Sequence, residues 1–399
     1  MTMLGSVLQG LRVVDLTQNV AGPYCTQILA DLGAEVIKIE RPGSGDDARA
    51  WRPPEIGGMS TGFAALNRSK KSVALDLDRP EGQRIVAQLA AGADVLVHSL
   101  KPGSAEARGL GDEPLRAVNP RLVYCAISAF GEVGPMRGLP GYDPLMQAFT
   151  GIMSVTGHEG DEPARVGVSL IDLGTGMWAA MAVLAALLQR ATTGQGLRVG
   201  ASLLETGLAW MAVPIANYLA TGRLPRKMGS GMAMMVPYEL YDTADGQVFI
   251  AAANDRLFAR ICDALGCPEL ARDPRFADNP SRVGHRDALH ESLEAHTRSR
   301  STADCIERLR AAGAPCSELN NVAQVLEQEQ VHALKLLADV PLPQASGHRA
   351  IGLPFNSGGQ RGRAPAAPPV LGADTADVLA ALGLDTAAQA ALKRQGVTG

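Results

Sequence analysis

The chain is predicted to be an α/β protein, with a mostly parallel sheet covered by helices and a smaller α+β second domain. Three observations predict it. Short β-branched runs alternate with helical patterns between Leu11 and Gly131, which is the signature of strand, helix, strand units. From about Tyr238 the pattern changes to a hairpin followed by short helices broken by Gly and Pro. The length, 399 residues, suits two or three domains of ordinary size.

Taken in order, "LRVVDL" (Leu11 to Leu16) reads as the first strand, and "TQNVAGPYCTQILADLGA" as a helix ended by Gly33. "EVIKIE" (Glu35 to Glu40) is the second strand. Further strands are read at Ser72 to Asp78, Ala93 to Leu100 and Arg121 to Gly131, with an amphipathic helix in "PEGQRIVAQLAAGA". Ligands of such sheets lie near the carboxyl ends of the strands. A dinucleotide fingerprint is missing, because "TQNVAGP" has a single Gly22 where GxGxxG is required. The loop "PGSGDDAR" after the second strand reads as an ordinary mobile loop or a minor ligand contact.

Basic residues gather at the predicted strand ends: Arg41, Lys70 and Lys71, and Lys101. Each alone reads as solvated loop charge. Together they suit an anion pocket for the phosphates of a nucleotide.

The stretch "RVGVSLIDLGTGMWAAMAVLAALLQR" sets one carboxylate, Asp172, at the mouth of an apolar helix. Val166, Val168, Leu170 and Ile171 read as a short buried strand or extended run before it. Asp172 suits a helix cap, held by free backbone N–H groups. It also suits a nucleophile toward an activated acyl group, with Gly174 and Gly176 admitting substrate and exposed N–H groups stabilising an oxyanion.

The second domain begins with "PYELYDTADGQVFIAAAN", a hairpin turning at Asp245 and Gly246. Before it, "LPRKMGSGMAMMVP" reads as a linker or as a lid over an acyl group. The tail "RGRAPAAPPVLG" is extended ahead of a last helical stretch.

Bulk properties exclude several classes. The net charge of −4 gives no basic field for nucleic acid. The six cysteines are scattered without a CxxC pair, which fits reduced core thiols and a cytoplasmic location. His290 and Glu291 lack the second histidine of a zinc helix, so no metal or prosthetic group is expected. The Met177 to Leu188 run is shorter than the roughly 20 residues of a membrane span, so a buried core helix and no membrane partner are expected.

Several ordered stretches resemble the family III CoA-transferases, the group of formyl-CoA transferase, carnitine CoA-transferase and 2-methylacyl-CoA racemase. They include "VVDLTQNVAGPYCTQILADLGAEVIKIERPGSGD", "LNRSKKSVALDL", "PGYDPLMQAFTGIMSVTG" and "GVSLIDLGTGMWAAMAVLAALL". The resemblance implies a Rossmann-like domain of residues 1–225 completed by 331–399, a small domain of 226–330 carrying the lid, and an interlocked homodimer. It implies Asp172 as covalent nucleophile, passing through a mixed anhydride and an aspartyl-CoA thioester. Acyl-CoA and a free carboxylic acid are the implied substrates.

The same resemblance assigns CoA contacts to Gln18, Asn19, Val20, Ala21, Arg41, Lys70, Lys71, Ser99, Leu100, Lys101, Arg108 and Tyr142. Arg108 stands beside the family's usual position, which Ala107 fills. Racemase members carry a histidine where this chain has Tyr142 and a glutamate where it has Asn254, so a transferase is expected over an epimerase. A CoA-binding protein without turnover is the third reading. Arg165, Arg226 and Lys227 are candidate partners for a distal carboxylate of a small dicarboxylate substrate.

Overall fold

The computed structural model describes residues 3–342, 345–362 and 364–399. Met1, Thr2 and, in the tail, Arg363 lie outside the described residues. The chain forms two compact units, one of Met1–Gly151, Val166–Ala216 and His332–Gly399, the other of Ile152–Arg165 and Asn217–Val331. The sequence-based boundaries are 225 and 330; the units change over at Ala216 and Val331, and Ile152–Arg165 joins the second unit.

The first unit is built on β1 (Arg12–Leu16), β2 (Glu35–Glu40), β3 (Lys71–Ala74), β4 (Val95–His98), β5 (Val123–Ser128) and β6 (Arg198–Ser202). They form one sheet in the order β3-β2-β1-β4-β5-β6, every pair parallel. The interior strands are apolar runs because helices cover the sheet. β3 is shorter than expected, ending at Ala74. β6 is absent from the sequence reading, because "RVGAS" lies at an edge and is largely exposed or half-buried.

The helices that matter for the site are α1 (Ala21–Asp31), α2 (Pro80–Ala91), α3 (Asp143–Phe149), α4 (Leu170–Thr193) and α5 (Leu203–Trp210). One core cluster joins Val14, Ile37, Val73, Leu96 and Tyr124 of the strands, Ile85 and Leu89 of α2, and Val378 and Leu392 from the C-terminal segment. That segment also covers the β3 edge. Ser72 N donates to Asp374 Oδ2 at 2.8 Å, Ala74 N to Thr375 Oγ1 at 3.0 Å, and Asp76 N to the Val397 carbonyl at 2.9 Å. Both chain ends therefore share the unit, and the edge is not left as an open template.

Two expectations fail before α4. Residues 166–169 form no strand and Val168 is 61% exposed, because the helix already begins at Leu170. The helix is also longer than the Met177 to Leu188 run, and Met177, Trp178, Met181 and Leu188 face outward. Among the described residues it is the one helix long and apolar enough to cross a membrane, with 44% of its most apolar window buried.

The second unit holds β7 (Tyr238–Asp242), β8 (Gln247–Ala251) and β9 (Cys316–Glu318) in an antiparallel sheet ordered β9-β8-β7. The hairpin turns over Thr243 to Gly246, as its Asp-Gly pair predicts. Its own core includes Tyr241, Ile250, Phe258 and Leu293.

The "GSGMAMMVP" segment is tied down within this unit. Arg286 donates to the Met232 carbonyl at 2.6 Å, Asn279 to the Met234 carbonyl at 2.9 Å, and Gly229 N to the Gly157 carbonyl at 2.8 Å.

Candidate active site

The strand order reverses between β1 and β4, and there the loops after both strands meet. Gln18 N donates to Ser99 Oγ at 3.2 Å across that point. Beside it, at the carboxyl ends of the strands, a cleft of about 590 Å³ is lined by residues that include Gln18, Arg41, Leu100 and Arg108. Four sequence-predicted residues are thus brought together, Arg108 among them despite its shifted position.

Both arginines of the cleft are occupied by carboxylates. Arg41 pairs with Asp47 and reaches Gln18 Oε1 at 3.4 Å; Arg108 pairs with Asp78 at 2.5 Å. These are partly exposed pairs, worth roughly 0–1 kcal/mol each, so a phosphate can displace the carboxylate at small cost.

Asn19, Val20, Ala21 and Ser99 do not line this cleft; the first three follow Gln18 and the last precedes Leu100, which do. The loop is held from below by buried charges. Lys38 donates to the Thr17 carbonyl at 2.7 Å and pairs with Asp46 at 2.8 Å, while Asp46 Oδ1 accepts from Asn19 N at 2.9 Å. Asn19 takes φ 69, a left-handed conformation that asparagine tolerates. The "PGSGDDAR" loop is held in place and also meets the cleft: Asp46 is 1% exposed, its N–H donates to Glu40 Oε2 at 3.0 Å, and Pro42 and Ser44 are among the lining residues.

Lys70, Lys71 and Lys101 lie outside the cleft. Lys70 is buried and spends its ammonium on Asp15 (3.2 Å), Asn67 (2.8 Å) and the Pro23 carbonyl (2.9 Å). Burial, partly offset by Asp15, brings it down to about 8. Lys71 opens β3 and pairs with Glu35, which opens β2. Lys71 thus stands at the amino end of its strand, about 10 Å from the carboxyl end at the rise of a strand. Lys101 is exposed beyond β4.

Asp172 sits in the first turn of α4, at the third helical position and not at the cap. Its own carboxylate accepts no hydrogen bond from the described residues. Burial raises it, and the charge of Asp143 adds to this, bringing Asp172 up to about 7.

The group that ends the helix is Asp143, at the head of α3 and 1% exposed. Its Oδ2 accepts from Ile171 N at 2.7 Å and Asp172 N at 3.2 Å, and its Oδ1 accepts from Gln147 Nε2 at 2.6 Å. Gln147 in turn accepts from Val166 N at 2.8 Å. Leu170 N and Leu173 N donate to the carbonyls of Val168 and Ser169. The amides of Leu170 to Leu173 are thus engaged within the protein, which leaves none of these four for an oxyanion.

The two glycines serve packing and not substrate approach. A methyl on Gly174 would lie 2.7 Å from the Trp210 ring, and one on Gly176 would lie 2.5 Å from the Ala21 carbonyl. They let α4 close onto α5 and onto the head of α1, where the cleft loop ends.

Asp143 was not legible as a functional residue, since its role is a bond to amides 28 and 29 positions later. Its signal was the "YDP" sequence, a polar residue before Pro in a first turn. Tyr142 precedes it and is 66% exposed. In the other unit, Asn254 accepts from Leu257 N at 2.9 Å as a helix cap. No cluster of three metal-ligating side chains occurs among the described residues.

Comparison with known proteins gives the same direction. The chain is 41% identical over 324 residues to succinyl-CoA:glutarate CoA-transferase of Mus musculus, covering 81% of this chain and 74% of that protein. It is 38% identical over 330 residues to acetyl-CoA:oxalate CoA-transferase of Acetobacter aceti, covering 82% and 84%. A CAIB/BAIF family protein from Brucella suis superposes with a TM-score of 0.84 at 37% identity, over 94% of this chain and 99% of that one. Residues 8–375 match CoA-transferase family III, and with this length of agreement the chain belongs to the family III CoA-transferases.

Proposed function

We propose that this CoA-transferase moves CoA from an acyl-CoA to a free dicarboxylic acid, with Asp172 as the covalent nucleophile. The observation that carries the reading is the Asp172 carboxylate itself: largely buried, at the head of α4, and without a donor. An Asp172 oxygen attacks the thioester carbonyl carbon, a C–O bond forms, the C–S bond breaks and CoA thiolate leaves with the electron pair. The thiolate then attacks the aspartyl carbonyl, giving aspartyl-CoA and the free donor acid. The acceptor carboxylate repeats the two steps in reverse.

The dicarboxylate preference draws on the relatives, whose names pair succinyl-CoA with glutarate and acetyl-CoA with oxalate. Within the second unit Lys227 is spent on the carbonyls of Asp161 and Glu162, and Arg226 pairs with Glu159. Of these three candidates, Arg165 alone is exposed with no ion pair or carbonyl partner among the described residues. Arg41 and Arg108 are assigned to the CoA phosphates. We further propose a homodimer, since Met177, Trp178, Met181 and Trp210 leave an apolar face uncovered on α4 and α5.

The test is one incubation in heavy water of the protein with succinyl-CoA and a panel of dicarboxylic acids, followed by the mass of every thioester. New thioesters that vanish in Asp172→Asn support the reading. Deuterium on unchanged thioesters would overturn it in favour of an epimerase, and no change at all would leave a CoA-binding protein.

A further inference from the structure

A helix N-terminus ordinarily stabilises the carboxylate closest to it and keeps that group weakly basic. In α4 this stabilisation goes to a different carboxylate. Asp143, brought by α3, occupies the amides of Ile171 and Asp172, and Gln147 donates to it at 2.6 Å.

We propose that Asp143 is a positioning residue for the nucleophile: it takes the amides at the head of α4, so that Asp172 meets the acyl group with no donor of its own. The chemical consequence rests on the reading of Asp172 as nucleophile; the geometry does not. Any donor held by the Asp172 carboxylate stabilises the charged reactant. That charge passes to the leaving thiolate as the C–O bond forms, so the stabilisation would be lost on the way. A carboxylate kept free of donors retains its basicity and reacts faster.

The other charged or titratable groups on elements packed against α4 do not supply this effect. α1 brings Tyr24, Cys25 and Asp31, the last paired with Arg68; α5 brings Glu205, bonded to Ser202; β5 brings Tyr124 and Cys125; β6 brings Arg198, paired with Glu132. The charge that bears on Asp172 is that of Asp143.

The experiment is an infrared titration of the protonated-carboxyl band on the full chain, with the Asp172→Asn spectrum subtracted. The wild-type midpoint is expected near 7. Asp143→Asn keeps the shape and removes the charge, and its midpoint should fall by roughly one pH unit. Asp143→Ala frees the two amides for Asp172 and should fall further.

Gln147→Leu loosens the same contact while keeping the charge, so it should lower the melting temperature and leave the midpoint in place. A midpoint in Asp143→Ala no lower than in Asp143→Asn, or an equal fall in Gln147→Leu, overturns the proposal. Where wild type exchanges CoA, the acid limb of kcat/KM should move with the infrared midpoint. Absence of exchange would remove the functional reading, while the midpoints would still decide the role of Asp143.

Discussion

The backbone N–H of Asp172 donates to the carboxylate of Asp143, so Asp172 helps to bind the very charge that repels its own. The contact is 3.2 Å long and closes the first turn of α4 from outside the helix. It links the two aspartates through the backbone, and the carboxylate of Asp172 itself accepts no hydrogen bond from the described residues.

This arrangement costs stability, and the cost depends on pH. A carboxyl raised to about 7 in the fold, from 3.8 when unfolded, holds its proton more tightly folded than unfolded. Its contribution is therefore present below about pH 4 and is lost as pH rises through 7. Discounted for partial exposure, the loss is on the order of 2 kcal/mol. Asp172→Asn should melt several degrees higher than wild type at pH 8 and by a clearly smaller margin at pH 5, where only part of the loss has set in. Calorimetry giving equal shifts at both pH values would refute this.

Arg41 and Arg108 line the cleft, whereas Lys71 stands at the other end of the strands. Arg41→Ala and Arg108→Ala should each raise KM for the acyl-CoA about ten-fold with kcat little changed, the mark of binding shared by ground and transition states. Lys71→Ala should stay within about two-fold, since it removes only an exposed pair with Glu35. Steady-state kinetics in which Lys71→Ala is the most damaging of the three would show that the cleft is not the CoA site.

Trp178 and Trp210 meet at 5.9 Å between ring centres, tilted by 39°, with more than two-fifths of each residue exposed. An apolar face of this kind calls for a partner. Light scattering should give a dimer for wild type and a monomer for Trp178→Glu combined with Met181→Glu. A monomeric wild type would remove the second copy as the occupant of this face.

Much of the fold was legible because it is local. The strand "EVIKIE" and the Asp-Gly hairpin follow from side-chain period and turn chemistry, and both are found at the expected residues. What was not legible depends on pairing across the chain. Lysine reads as a surface residue, so Lys70 looked like a phosphate contact; only the Asp15 carboxylate inside β1 explains why it is buried. An aspartate within "VVDL" was the available warning. Gly174 and Gly176 looked like room for substrate because the helices that fill the space, α1 and α5, are distant in sequence. Asp143 was invisible for the same reason.

The hydrogen bonds that seal β3 join Ser72 and Ala74 to acceptors 302 and 301 positions later, and Gly396 is among the residues that line the cleft. During synthesis the ribosome delivers β1, β2 and β3 long before these partners exist. The nascent sheet must wait with an uncovered edge while the whole second unit is made. The cleft is consequently one of the last features of the molecule to be completed, and this edge is where a translating chain most needs protection from neighbours.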